Sequence, residues 1–389
     1  MSPVDFSGRL PDDLEPSPWA RARAAAGAVP FDLTVSNPTA CGIAYPPDLL
    51  RGLSLPAGLS YRPDARGLPA ARAAVAAEYA RHGVAVDPER IVLTASTSEA
   101  YAVALKLLCD PGSAVLVPAP SYPLFDHLLG LEGVRALPYA LDPHAGWQPH
   151  ATPVADADAA RAVIVVHPNN PTGSLVEWPA AERLAAARGR SLPPLPMIVD
   201  EVFLDYPLDP GTRPSTYAAR AKSLTLTLGG LSKSRGLPQL KLAWMVVSGP
   251  EADVTAALGR LEHIADTYLS VGTPVQLALP DLLERAAPVR DAIRQRCREN
   301  LAAARGVARD HPAVEVGTPT AGWSVVLRYP RVVSEQTLVL DLLREGVAVY
   351  PGYFFDFPQE GYLVASLLAP VEVFASGLRR TLDGIASHL

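Results

Sequence analysis

Short, largely apolar runs alternate with longer stretches in which alanine, leucine and arginine mix, and this alternation is the dominant pattern of the chain. The runs at 114–117, 162–166, 197–199, 223–227 and 244–247 are three to five residues long and carry no charges. Such runs read as strands buried on both faces. The stretches 68–79 and 98–108 carry helical spacing instead. Strands alternating with helices predict an α/β domain whose sheet is mostly parallel, doubly wound and covered on both faces. The 40 prolines are scattered and punctuate the ends of apolar runs, so they mark loops and helix starts rather than a disordered segment.

After about residue 275 the pattern changes. A long helical stretch, roughly 280–308, precedes candidate strands at 322–327, 347–349 and 362–367 and a closing helix at 371–388. Together these predict a smaller α+β domain. Residues 19–28 read as a helix leading into Phe31-Asp32-Leu33 and are expected to pack with that second unit. The expected divisions are an N-terminal arm at 1–45, a large domain at 46–275 and a small domain at 276–389.

A chain of 389 residues, 49% hydrophobic and 19% charged, can bury a sizeable core and is not of disordered composition. The formal net charge is −6 and no Lys/Arg run stands out, which argues against a nucleic-acid or anionic-membrane surface. Cys41, Cys109 and Cys297 lie far apart without metal-ligand spacing. No metal site is expected, and the sparse thiols fit a reducing compartment. The first ten residues lack the apolar core of a signal peptide, and no run of about 18 uncharged apolar residues occurs. The expected location is cytoplasmic.

Four constellations carry chemistry. In Leu93-Thr94-Ala95-Ser96-Thr97-Ser98-Glu99 a strand meets small hydroxyl residues and then a helix. Hydroxyls and free backbone N–H groups at a helix N-terminus suit a phosphate, with a plain N-cap as the competing reading. His167-Pro168-Asn169-Asn170-Pro171-Thr172-Gly173 follows an apolar run, and either a structural turn or an asparagine donor fits it. Asp200 closes Met197-Ile198-Val199, where a carboxylate is costly unless paired; Glu201 and Asp205 are expected to face solvent or to cap. Lys233 lies in Leu231-Ser232-Lys233-Ser234-Arg235-Gly236, just after the run 224–228. An amine at a strand end aimed into a cleft can form a Schiff base with a carbonyl cofactor. Each group follows a candidate strand, and ligands of doubly wound sheets collect outside the carboxyl ends of strands. Phosphate site, donor, pyridinium partner and amine together point to pyridoxal 5′-phosphate.

With these motifs in place the chain resembles the class I/II aminotransferases, pyridoxal phosphate enzymes of fold type I, from about Asp32 to Leu382. The resemblance implies roles residue by residue. Ser96, Thr97 and Ser98 match the phosphate loop, and Tyr122 in Pro120-Ser121-Tyr122-Pro123 matches the ring that stacks on the cofactor. Asn170 matches the donor to the cofactor's phenolate oxygen, Asp200 the pyridinium partner and Lys233 the aldimine lysine. Tyr61 in Leu59-Ser60-Tyr61-Arg62-Pro63 looks like the tyrosine that reaches the neighbouring subunit's phosphate, which implies a homodimer. Tyr350-Pro351-Gly352 and Phe354 match the substrate-side loop, and Trp323 is a candidate wall of the substrate pocket.

Three departures matter. Phe203 stands where the family carries a tyrosine, which leaves Asn170 as the phenolate donor and predicts a raised pKa of the internal aldimine. Lys241 replaces the family's phosphate arginine, keeping the charge but losing the bidentate fork. Val364 stands where the family carries the arginine that clamps the substrate carboxylate. That group must then be held otherwise, with Asn170 and the Ser36-Asn37 backbone as candidates, or the substrate is not a simple α-amino acid. The expected activity is transamination between an amino acid or related amine and a keto acid through Lys233. The alternative on the same fold is a C–S β-lyase or a decarboxylase, and a regulatory module is disfavoured by the negative charge.

Overall fold

The computed structural model describes residues 6–11, 13–150, 154–188, 192–218 and 222–389; the first five residues of the expected arm lie outside it. In chain order the strands are β1 (Phe31–Asp32), β2 (Ile91–Thr94), β3 (Ala114–Ala119), β4 (Arg135–Asp142), β5 (Gln148–Pro149), β6 (Ala160–Val166) and β7 (Met197–Asp200). They continue with β8 (Thr225–Gly230), β9 (Ala243–Ser248), β10 (Glu315–Val316), β11 (Ser324–Arg328), β12 (Val347–Ala348), β13 (Tyr350–Pro351) and β14 (Tyr362–Ser366).

One eight-stranded sheet runs in the order β2-β9-β8-β7-β6-β3-β4-β5. Its centre, from β8 through β7, β6 and β3 to β4, is parallel, while β9 and β5 run antiparallel to their neighbours. Strands β7 and β8 are buried at every position, which is why Met197-Ile198-Val199 reads as an unbroken apolar run and why β8 carries no charged residue although Thr225 and Thr227 alternate with leucines. Because β9 opposes both β8 and β2, β2 points the same way as the parallel strands. The C-terminal ends of β2, β3, β6, β7 and β8 therefore share one edge of the sheet.

The four-stranded sheet β10-β11-β14-β13 forms in the last part of the chain. The N-terminal segment is stitched to it: β1 pairs in parallel with β12, Ser366 N–H donates to the Leu33 carbonyl at 2.7 Å, and the Ser366 hydroxyl donates to the Val35 carbonyl. Trp19 packs against Tyr350, ring centroids 5.4 Å apart.

Two sequence expectations change, and one strand was not expected. The helix expected at 280–308 is two helices, Thr273–Arg285 and Ala287–Val307. Pro288 begins the second, where its missing N–H costs nothing, while Pro280 sits inside the first rather than opening it. Strand β4 gave no clear signal because its exposed and buried positions are mixed and Pro138 interrupts it. Glu201 and Asp205 do not face solvent: Glu201 is buried and Asp205 lies in an ion-pair cluster beneath the sheet edge.

Candidate active site

Each parallel strand hands one group to the shared edge. Strand β7 ends in Asp200, whose carboxylate accepts the Tyr101 hydroxyl at 2.9 Å and the Val202 N–H at 3.0 Å. Burial holds the Asp200 carboxyl above its ordinary value, against those two donors and the charge of Lys233. Strand β8 ends in Gly229 and Gly230. A Cβ on Gly229 would meet Trp244 Nε1 at 2.5 Å, so only glycine lets β8 and β9 close here. The one-turn helix Leu231–Ser234 follows and carries Lys233. Burial depresses the Lys233 amine, with Asp200 as the opposing influence, and Nζ lies 5.1 Å from the Trp323 ring centroid.

The short lysine helix is fixed from behind. Arg235, with no exposed side-chain surface, lies 2.6 Å from Glu78 and 3.3 Å from Asp205 and donates to the Leu283 and Ser234 carbonyls. The Glu78 contact is an ion pair without hydrogen-bond geometry. His82 lies 3.4 Å from Asp205. Burial alone would lower the His82 imidazole and raise the Asp205 carboxyl. Their mutual contact outweighs this, helped at Asp205 by Arg235, so His82 is held above and Asp205 below its ordinary value.

A cavity of about 320 Å³ opens at this edge. Among the sequence candidates, Ser36, Thr97, Tyr122, Asn170, Asp200, Phe203, Lys233, Trp323 and Val364 all line it. Others do not. Ser96 is the N-cap of the helix Thr97–Leu108, its hydroxyl accepting the Glu99 N–H at 3.1 Å, and Ser98 lies within the first turn. Lys241 is exposed, in a left-handed conformation (φ 51°) two residues before β9. Asn37 turns away to cap a short turn by accepting the Thr39 N–H. Tyr61 is 77% exposed on the surface. Contributors with no assigned role in the sequence include Tyr101, Ser324, Phe355 and Ser366. Tyr101 stood in the helix after the hydroxyl cluster, one turn beyond Thr97, and that spacing was the signal available.

This donor set fits pyridoxal phosphate. Asp200 is a buried carboxylate at the cavity floor without a full cationic partner, as a pyridinium nitrogen requires. Tyr122 offers a flat ring, held edge-on by Phe125 at 5.9 Å, and the helix Thr97–Leu108 points its free N–H groups at the same edge.

The sheet and its edge define a fold type I α/β enzyme, and comparison with known proteins makes this specific. The family model described as aminotransferase class I and II matches residues 57–367, and the chain belongs to that family. The Escherichia coli (strain K12) glutamate-pyruvate aminotransferase AlaA is 26% identical over 99% of both chains. The arginine–pyruvate transaminase AruH of Pseudomonas aeruginosa is 30% identical over 84% of this chain and 83% of its own. An Escherichia coli aminotransferase crystal structure superimposes with a TM-score of 0.83 at 25% identity, covering 99% of each chain. A Pyrococcus furiosus alanine aminotransferase gives 0.81 at 23% over 95% of each, which shows the fold alone. The protein is a class I/II aminotransferase, an enzyme that transfers amino groups, and membership implies pyridoxal phosphate. Nothing in these likenesses favours a lyase or a decarboxylase.

Proposed function

We propose that the aminotransferase reaction is carried by Lys233, Asp200 and Tyr122, with an amino compound as donor and a keto acid as acceptor. The observation that most supports this reading is that a half-buried amine of depressed basicity and a buried carboxylate share one cavity at the end of adjacent strands. Bound pyridoxal phosphate supplies an electron sink for the charge left when the amine-bearing carbon loses a proton. Lys233 holds the cofactor's carbonyl carbon between turnovers and, when freed, moves the proton. Its depressed basicity favours the neutral amine, the form that can take a proton. Asp200 holds positive charge on the ring nitrogen, and the Tyr101 hydroxyl fixes the carboxylate's orientation. Tyr122 would cover one face of the bound ring, and Asn170 would be the donor to its phenolate oxygen, since Phe203 has no donor to add. Thr97 and the free N–H groups at the start of its helix would anchor the phosphate, and Ser96, Ser98 and Lys241, outside the cavity lining, would act only at its margin.

The likeness to pyruvate-linked relatives supports a small keto acid as acceptor. A homodimer is part of the reading, with Tyr61 reaching the neighbouring subunit's phosphate; its exposure leaves it free to do so. The division into an arm at 1–45, a large domain at 46–275 and a small domain at 276–389 is proposed with it, the second boundary falling inside the helix Thr273–Arg285. Three unpaired cysteines support a reducing, cytoplasmic location, and among the described residues no helix is long and apolar enough to cross a membrane. The test is Lys233→Ala. Turnover and the cofactor's visible protein-linked absorbance should both be lost; appreciable activity in that variant would overturn the scheme.

A further inference from the structure

The small-lobe side of the cavity is formed by Trp323, Tyr350, Phe354, Phe355 and Val364. Val364 lies mid-strand in β14, paired with Val326 on one side and Tyr350 on the other, and is 1% exposed. The polar groups on this side are hydroxyls, those of Ser36, Ser324, Ser366 and Tyr350. Among the described lining residues Lys233 is the one cation and Asp200 the one anion.

The arginines around this lobe are engaged elsewhere. Arg23 is bound to Asp32 at 2.7 Å. Arg296 donates to the Cys41 and Leu368 carbonyls, and Arg298 to the Pro207 carbonyl. Arg380 lies over the Phe31 ring at 4.8 Å. A carboxylate on the amine-bearing carbon would thus be desolvated against apolar side chains with no counter-charge, in a cavity that already holds Asp200.

We propose that the amino donor carries no carboxylate on its amine-bearing carbon, and that the site takes apolar or aryl primary amines and releases the matching aldehydes. The inference rests on the aminotransferase reading and departs from the amino-acid donors in the names of the relatives. The exchange balances: R–CH2–NH2 and pyridoxal phosphate give R–CHO and pyridoxamine phosphate. The nitrogen and the two electrons of one C–H bond pass to the cofactor, and the carbonyl oxygen reaches the product by way of water. A keto acid then reverses the exchange and regenerates the cofactor. The Tyr350 and serine hydroxyls suit a neutral substituent, which needs hydrogen-bond partners but no counter-ion.

The test is single-turnover conversion of the reconstituted holoenzyme with 2-phenylethylamine and with phenylalanine, which differ only by the carboxylate. The amine should convert with a second-order rate constant about 10²-fold or more above that of the amino acid, the ratio for an unpaired buried charge costing about 2.8 kcal/mol. Val364→Arg should shift that ratio toward phenylalanine by at least about tenfold. Because an arginine at a buried position can unfold the lobe, a second measurement uses the unmutated holoenzyme. Phenylacetamide should inhibit more strongly than phenylacetate, and stronger inhibition by phenylacetate would overturn the proposal. A preference for phenylalanine would overturn it while leaving the aminotransferase reading intact, and would place a cation from outside this chain in the site. Conversion of neither compound, with alanine, glutamate or arginine converted instead, would likewise overturn the proposal alone, whereas no conversion of any amino compound would overturn it together with that reading, so the two failures are distinguishable.

Discussion

Arg235 offers a sharp test of how the lysine loop is held. Replacing it with methionine keeps the length and the apolar stem but removes a fully buried charge from between Glu78 at 2.6 Å and Asp205 at 3.3 Å. Glu78 stays buried and Asp205 largely so, with His82 and the more distant Arg290 left to balance Asp205. Breaking such a pair by removing one partner costs about 3–5 kcal/mol. At about 2.1 cal/mol/K per residue the unfolding entropy of 389 residues is roughly 0.8 kcal/mol/K, so the melting temperature should fall by about 4–6 °C.

The loss should also depend on pH. The folded Asp205 carboxyl is held below its ordinary value, so its contribution is present above the unfolded value and disappears as the pH falls through the folded one. The gap between wild type and variant should therefore be widest near neutrality and narrow toward acid. Circular-dichroism melts of the apo proteins at pH 3 and 7.5, on either side of the ordinary carboxyl value, measure both effects. Adding Glu78→Gln to Arg235→Met should recover part of the loss, because one stranded charge goes with it. A fall of less than about 1 °C, or a gap that does not change with pH, would refute the account of Arg235 as an electrostatic anchor.

Two other outcomes are expected. Phe203→Tyr adds a second donor beside Asn170, so the pH midpoint of the holoenzyme's visible absorbance should drop by about one unit; spectrophotometric titration measures it, and a lower midpoint in wild type would contradict the assignment. Burial pushes the Glu201 carboxyl up to about 8, despite hydrogen bonds from the Thr216 hydroxyl and the Tyr217 N–H. A folded value above the unfolded one means stability is full below the unfolded value and lost as pH rises through about 8. Urea unfolding at pH 6 and 9 should therefore show a decline in wild type that Glu201→Gln lessens, and equal declines would exclude Glu201 as its source.

What the sequence made legible was what local chemistry dictates. The strands β6, β7, β8 and β9 stood out because burial on both faces leaves no polar position in most of their length, and Asp200 stood out because it breaks such a run at its end. Lys233 became visible only through its order after the other three groups. Contacts between distant segments left no local mark. The partnership of Tyr101 with Asp200 joins residues 99 positions apart, and the burial of Arg235 depends on Glu78, far upstream. Glu201 and Asp205 read as surface residues because a charged side chain after a strand normally is one; their partners Thr216, His82 and Arg235 are brought in by the fold alone.

The pairing of β1 with β12 sets a schedule for synthesis. Phe31 meets Val347, 316 positions later (347 minus 31). At about 5–20 residues per second the early segment leaves the ribosome roughly 16–63 s before its partner strand exists. Throughout that interval Trp19, Phe31 and Leu33, which end up in the core shared with the late sheet, have nothing of their own to cover them. The substrate side of the cavity, where Ser36 meets Val364, is thus among the last parts of the molecule to form. A nascent chain stalled before residue 347 would carry Asp200 and Lys233 on the β2–β9 segment yet lack Tyr350, Phe354, Phe355 and Val364, most of the wall against which a substrate is placed.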